Sequence, residues 1–141
     1  MINVVFDTNV IISGKLWSGA FRQAINLVAN AQVQSLITEI MIDELRDVLT
    51  RPKFTGRLEA IGRTAEEVVT DYLRSTVIVE AAQIPLTVQV DPDNDAVLAC
   101  AVGGNANYVV TGDEHLLKLA TFRGISILDV KYFLKVVTLG E

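Results

Sequence analysis

The chain has 141 residues, of which 50% are hydrophobic and 21% are charged, and its formal net charge at pH 7 is −5. This length corresponds to one domain with a sizeable core, and the composition excludes an intrinsically disordered protein. The negative net charge argues against a general nucleic-acid coat protein, but it allows an enzyme that meets phosphate groups through a bound metal ion.

Short β-rich runs alternate with helical segments, which predicts an α/β domain with a mainly parallel sheet of about five strands. The predicted strands are Ile2–Phe6, Gln34–Ile37, Val77–Val79, Tyr108–Thr111 and Ile125–Leu128. The predicted helices are Ala20–Ala31, Thr38–Thr50, Ala65–Ser75, Asn94–Val102, Glu114–Ala120 and Val130–Val136. No internal repeat or linker interrupts this alternation, so residues 1–141 are predicted to form a single domain.

Two of the predicted strands are followed by an aspartate. Asp7 comes directly after the first apolar run, and Asp113 follows the strand Tyr108–Thr111 after a single glycine. Ligands of such sheets bind outside the carboxyl ends of the strands, so both aspartates are predicted to lie at that edge. A structural role remains open for both, because each is in position to cap the turn or helix that follows it.

The predicted helix Thr38–Thr50 carries one acid among its apolar residues. At about 100° per residue, one arc of this helix is apolar, and its members are Ile40, Met41, Leu45, Val48 and Leu49. Glu44 projects into the same arc, between Ile40 and Val48. A carboxylate there must be protonated, paired with a cation such as a buried arginine, or turned toward a polar pocket.

The segment DPDNDAVLACAVGG contains three aspartates with different expected roles. Asp91 precedes a proline and is a natural N-cap. Asp93 either caps the helix or interacts favourably with its positive end. Asp95 lies too deep in the segment for a simple cap, so it is a candidate functional residue, although the helix dipole offers a structural explanation for it as well.

If the fold brings the four candidate acids to one edge, they cannot all stay ionised unaided. Two like charges ~4 Å apart repel by ~4 kcal/mol at an effective dielectric constant near 20. Such a cluster takes up protons or binds a hard divalent cation through oxygen ligands. Magnesium or manganese is favoured over zinc, because no set of histidines and cysteines has the spacing of a zinc site.

Other features of the sequence favour a cytoplasmic protein without membrane contact. No apolar stretch reaches the roughly 18 residues that a membrane span needs, and no signal peptide is evident at the N-terminus. The single cysteine, Cys100, excludes an internal disulfide and suits a reducing cytosol. No Ser/His or Cys/His nucleophile pair and no glycine-rich phosphate loop is evident, so metal-assisted chemistry remains the favoured enzymatic reading.

Four segments resemble a PIN-domain protein of the kind found as toxins in bacterial and archaeal toxin–antitoxin pairs. They are VVFDTNVIIS, ITEIMIDELRDVLTRPKF, DPDNDAVLACAVGGNANYVVTGDEHLL and ISILDVKYFL, and together they cover essentially the whole chain. The resemblance implies a three-layer α/β/α fold and a magnesium- or manganese-dependent endoribonuclease. It also implies RNA as the substrate, an antitoxin protein that covers the acidic cleft, and self-association into a dimer.

The resemblance also implies roles for individual residues. By motif position, the family's catalytic and metal-holding acids fall on Asp7, Glu44, Asp95 and Asp113. Asp93 is an alternative metal ligand beside Asp95. Asn9 and Thr111 match the polar residues that position ligands or substrate.

Basic residues outline a path for an RNA backbone. They are Arg46, Arg51 and Lys53, followed by Arg57 and Arg63 and joined by Lys15 and Arg22. The alternative is an ordinary solvated helix face, because acidic residues are interspersed among them. Trp17, close to Gly19, is expected to be a loop or packing residue.

Two other functions remain open at this stage. One is a phosphatase that resembles the haloacid-dehalogenase family, with Asp7 as the nucleophile. Asn9 occupies the second acidic position of that family's D-x-D motif, and the usual downstream lysine is not evident. The other is a binding module that keeps the PIN fold without catalysis.

Overall fold

The computed structural model describes residues 1–84 and 92–139. The strands within these ranges are β1 (Asn3–Phe6), β2 (Gln34–Ile37), β3 (Thr76–Ile78), β4 (Tyr108–Val110), β5 (Thr121–Phe122) and β6 (Ile125–Leu128). The helices are α1 (Thr8–Leu16), α2 (Ala20–Ala29), α3 (Glu39–Leu49), α4 (Pro52–Ile61), α5 (Ala65–Leu73), α6 (Pro92–Gly103), α7 (Glu114–Leu119) and α8 (Val130–Leu139). All five predicted strands and all six predicted helices are present, with ends that differ by up to three residues.

The strands form one sheet in the order β3-β2-β1-β4-β6-β5. All neighbouring pairs are parallel except β5 with β6, which form an antiparallel hairpin. The mainly parallel α/β prediction is confirmed, and within the described residues the sheet has six strands where about five are predicted. The extra strand was missed because β5 has only two residues, too few for an alternating pattern to be read.

The strand order creates a crevice beside the central strand. From β1 the chain first adds β2 and β3 on one side, and later adds β4 and β6 on the other side. The reversal leaves a crevice at the carboxyl ends of β1 and β4, where open α/β sheets bind their ligands. The backbone N–H of Asp7 donates to the carbonyl of Val110 at 3.0 Å, which places Asp7 at this point.

Helices cover both faces of the sheet in a three-layer α/β/α arrangement. Helix α6 packs against β1, β2 and β4. Phe133 of α8 packs edge-on against Phe6 of β1, with ring centroids 5.7 Å apart, and against Tyr108 of β4. Within the described residues, no helix has both the length and the apolar character that a membrane crossing requires.

Two helices, α1 and α4, are not predicted by the sequence pattern. Helix α1 is buried on most sides, since Val10, Ile11 and Ile12 are each at most 2% exposed. It therefore lacks the polar stripe that reveals a surface helix, and its β-branched residues favour a strand. Helix α4 begins with Pro52 at its first position, where proline is tolerated, and it buries only Phe54 and Leu58.

The predicted apolar arc of α3 is wrong for one residue. Ile40 is 66% exposed, whereas Ile42, outside the predicted arc, is buried. Ile40 lines an open groove with Ile78 and Val79, at the β3 end of the sheet. Periodicity identifies which residues share a helix face, but it does not show where the neighbouring elements end.

Candidate active site at the carboxyl edge of the sheet

Asp7 and Asp113 are joined through the hydroxyl of Thr111. This hydroxyl donates to Asp7 Oδ2 at 2.7 Å and accepts from the backbone N–H of Asp113 at 3.0 Å. Thr111 is fully buried, and Asp7 is 9% exposed. The parallel pairing of β1 with β4 brings the two strand ends together. Thr111 therefore orients Asp7, and its own hydroxyl is turned to these protein atoms.

Both aspartates also cap helices, as the structural alternative predicts. Asp7 is the N-cap of α1 and accepts from the backbone N–H of Asn9 at 3.4 Å. Asp113 caps α7 through Oδ1, which accepts from the N–H groups of His115 and Leu116 at 2.8 and 3.2 Å. Capping fixes the position of each carboxylate at the crevice, so it is compatible with a second role.

The pKa of Asp113 is lowered by its hydrogen bonds. Burial acts in the opposite direction and would raise the pKa of this carboxyl. The backbone N–H of Leu116, the side chain of Asn94 and the N–H of His115 outweigh burial, because they stabilise the ionised form. Asp113 therefore remains an anion at neutral pH.

Glu44 of α3 faces polar groups at the same edge. Its Oε1 accepts from the hydroxyl of Thr8 at 2.8 Å. Burial is the main cause that raises the pKa of Glu44 to about 7. A hydrogen bond with Asp93 and the negative charges of Asp93 and Asp7 act in the same direction, and the bond from Thr8 opposes them. Of the three states expected for Glu44, the structure shows the polar pocket, and the raised pKa favours the protonated form below about pH 7.

The first turn of α6 lies between the two groups of acids. Asp93 is exposed, whereas Asn94 and Asp95 are 3% and 9% exposed. Asp93 interacts with Glu44. Asn94 lies close enough to Asp113 to lower the pKa of that carboxyl. The Nδ2 atom of Asn94 nevertheless makes no hydrogen bond of normal length with a described residue. Asp91, the predicted N-cap of this helix, lies outside the described residues.

Thr8 and Asn94 are polar neighbours of the site that the sequence reasoning missed. Thr8 follows Asp7 directly, and Asn94 precedes Asp95 directly. A rule that includes the neighbours of each candidate acid would have found both. Asn9, predicted to position substrate, is exposed in the first turn of α1, and its backbone N–H donates to Asp7 Oδ1.

The chemistry of these donors fits a hard divalent cation, with one restriction. Carboxylate, hydroxyl and amide oxygens are the ligands that Mg²⁺ and Mn²⁺ prefer. Burial is the largest cause of the raised pKa of Glu44, and the charges of Asp93 and Asp7 add to it, so these two acids lie near Glu44. However, among residues 1–84 and 92–139, no three Asp, Glu, His or Cys side chains are grouped closely enough to hold a metal ion.

Several of the predicted RNA-backbone residues are paired with carboxylates. Arg46 Nε lies 3.2 Å from both carboxylate oxygens of Glu66, and Arg51 pairs with Asp47 at 3.1 Å. These pairs favour the solvated-face alternative for the two arginines. Lys53 instead lies over the ring of Phe54, 5.1 Å from its centroid.

Replacing Thr111 with Val is expected to destabilise the fold by ~1.5–3 kcal/mol, the value of a hydrogen bond to a charged group. Valine keeps the shape of the side chain but leaves Asp7 without this donor. The Thr111→Ser variant keeps the hydroxyl and is the control. Urea unfolding of both variants measures the loss, and a Val variant that is as stable as the unmodified protein would contradict the role given to Thr111.

The fold and the site define the class of protein: it is an α/β domain with acidic residues at the carboxyl ends of its central strands. A family model described as PIN domain matches residues 3–115, which is most of the chain. The chain therefore belongs to the PIN domain family. PIN domains are generally nucleases and typically use a divalent metal ion. No curated protein matches the chain.

Proposed function

We propose that the protein is a metal-dependent endoribonuclease that hydrolyses RNA phosphodiester bonds. Asp7, Glu44, Asp95 and Asp113 are the proposed acids that hold Mg²⁺ or Mn²⁺, with Asp93 beside Glu44. The observation that carries the proposal is the meeting of Glu44 with Asp7 and Asp93 at the crevice of a PIN domain. Such an ion supplies the activation of water and neutralises the charge that builds on the phosphodiester.

The residues of the chain have separate tasks in this mechanism. Thr111 and Thr8 donate to Asp7 and Glu44 and so hold the two carboxylates in place. Asp113 is held as an anion by the hydrogen bonds at the start of α7. Glu44 must release its proton to act as a ligand, so cation binding and cleavage are expected to weaken below about pH 7.

We further propose that the protein acts in the cytoplasm as the toxin of a toxin–antitoxin pair. The resemblance of the four sequence segments supports this role, together with an antitoxin over the acidic crevice. Self-association into a dimer through apolar helix faces is supported in addition by the exposure of Ile40 at the start of α3.

The test of the nuclease is cleavage of a panel of RNAs with Mg²⁺, with Mn²⁺ or with a chelator. Cleavage is expected with either ion and is expected to stop with the chelator. Products with 5′-phosphate ends are expected from direct attack by water, whereas attack by the 2′-hydroxyl gives a cyclic phosphate. A chromogenic phosphomonoester serves as the control substrate. Its turnover without RNA cleavage would favour the phosphatase, and no turnover of either substrate would favour the binding module.

A further inference from the structure

An aromatic side chain is exposed where α1 ends. Trp17 is the only tryptophan of the chain, forms the C-cap of α1 and is 40% exposed. Its ring centroid lies 6.2 Å from that of Phe54, and the guanidinium of Arg57 lies 5.6 Å from the Trp17 ring. The Lys53 ammonium lies over Phe54. These four residues are called the Trp17 platform below.

The two basic side chains of the Trp17 platform form no salt bridge with a described residue. Arg57 Nε donates to the carbonyl oxygen of Leu16 at 2.7 Å, a contact that fixes the side chain without neutralising it. Among the described residues, no carboxylate forms a salt bridge with Arg57 or Lys53, in contrast to Arg46 and Arg51. The Trp17 platform is thus locally positive on a chain whose net charge is −5.

A partly exposed indole beside cations that form no salt bridge within the described ranges fits a ligand with a flat ring and a negative charge. Single-stranded nucleic acids have both, since their bases stack on aromatic side chains and their phosphates attract lysine and arginine. Base pairs inside an RNA duplex are already stacked and cannot lie on a protein ring. The chemistry of the platform therefore selects unpaired nucleotides.

We propose that the Trp17 platform binds an unpaired base and the adjacent phosphate of the RNA substrate. This inference rests on the proposed nuclease function and adds to it a base-binding position at the C-terminal end of α1, outside the acidic crevice. Helix α1 connects the two places, because its N-cap is Asp7 and its C-cap is Trp17. Its nine residues span about 14 Å at 1.5 Å per residue. A strand that is cleaved at the crevice would therefore have to extend a few nucleotides beyond it to reach Trp17.

The single tryptophan allows binding to be measured without cleavage. In the Asp7→Asn variant with a chelator, unstructured oligouridylate or oligoadenylate is expected to quench the fluorescence of Trp17. A duplex RNA of equal length is expected to leave the fluorescence unchanged. Quenching should weaken steeply with added salt, since phosphate contacts release counterions.

Variants separate stacking from a merely structural role of the ring. Trp17→Ala is expected to weaken binding of labelled single-stranded RNA about 5- to 150-fold, the range for loss of one stacked base. Trp17→Phe keeps a ring and should restore most of the affinity. Tyr132→Ala removes an aromatic residue that is 59% exposed on α8, and it is the matched control with no expected effect.

Lysine variants test the phosphate contact. Lys53→Ala is expected to reduce the slope of log affinity against log salt by about one unit. Lys135→Ala, an exposed lysine on α8, should leave the slope unchanged. Equal slopes for the two variants would remove Lys53 from the interface.

Two outcomes would overturn the platform, and neither bears on the nuclease. The first is RNA binding by Trp17→Ala at the unmodified affinity in a protein that still cleaves RNA. The second is a change of Trp17 fluorescence that follows protein concentration without RNA, which would show that a second copy covers the platform. Conversely, quenching by single-stranded RNA in a protein that cleaves none would support the platform and refute the nuclease.

Discussion

Replacing Asp7 with Asn is expected to lower metal-dependent RNA cleavage at least 100-fold, because losing an outer partner of a metal ligand alone costs about 10–100-fold. Asparagine has nearly the same shape, and its amide oxygen can still accept from the N–H of Asn9, so the cap of α1 survives. The hydrogen bond from Thr111 to the charged carboxylate is lost, so the midpoint of thermal unfolding should fall about as it does for Thr111→Val, whereas the loss of cleavage should persist well below that midpoint, where the variant is folded.

The control for this variant is Asp43→Asn. Asp43 lies on α3 with its side chain 81% exposed, and its salt bridge with Arg46 is long, at 3.9 Å. It carries the same charge as Asp7 but lies on a solvent-exposed face. Equal cleavage by the two variants would remove Asp7 from the mechanism, whereas unfolding of Asp7→Asn would show that its main role is the cap.

Replacing Glu44 with Gln is expected to stabilise the metal-free protein at pH 8 while abolishing cleavage. The pKa of Glu44 is raised from 4.5 to about 7, so the folded protein binds this proton more tightly than the unfolded chain does. The proton contributes stability below about pH 4.5, and this contribution is lost as the pH rises through about 7. Glutamine is neutral at every pH and avoids the loss.

The expected gain at pH 8 is about 1 kcal/mol, because a partly exposed group realises only a fraction of its shift. For a chain of this size the gain corresponds to roughly 3–5 °C in Tm. At pH 5 the variant and the unmodified protein should unfold at nearly the same temperature. Thermal unfolding at both pH values, with a chelator present, measures the difference.

Added Mg²⁺ should narrow the difference in Tm between Glu44→Gln and the unmodified protein at pH 8. A cation that binds only the folded protein stabilises it, and it favours the ionised form of Glu44. The Tm of the unmodified protein should therefore rise with Mg²⁺ more than that of Glu44→Gln. Asp43→Asn again serves as the control, and its Tm should rise with Mg²⁺ as much as that of the unmodified protein. An equal Mg²⁺ response in Glu44→Gln would place the ion away from this carboxylate.

The strands and amphipathic helices of this fold can be predicted from the sequence because their apolar residues are spaced regularly. Strand β2 is predicted to the residue, and the end of α6 at Gly103 agrees with the glycine pair there. Helix α1 escapes prediction for the opposite reason, since it is buried on nearly every side and has no periodic contrast. The exposure of Ile40 depends on where the sheet ends, which no local pattern contains.

The location of the candidate site can be predicted from the sequence to a similar extent. Acids that follow strands or interrupt an apolar face stand out in the sequence, and Asp7 and Glu44 do meet at one edge of the sheet. The hydrogen bond between Thr8 and Glu44 joins residues 36 positions apart, so only the folded chain reveals it. The interaction of Asp93 with Glu44 is equally a product of packing, because both residues lie in helices that meet across the crevice.

The margins of the sheet have a consequence for how the protein behaves in a crowded cell. The strands described at the two margins, β3 and β5, have three and two residues. Such short ribbons present too few unpaired backbone N–H and C=O groups to recruit an extended segment of another molecule. Fibril growth from the native state is thereby disfavoured, and assembly is directed to side-chain surfaces.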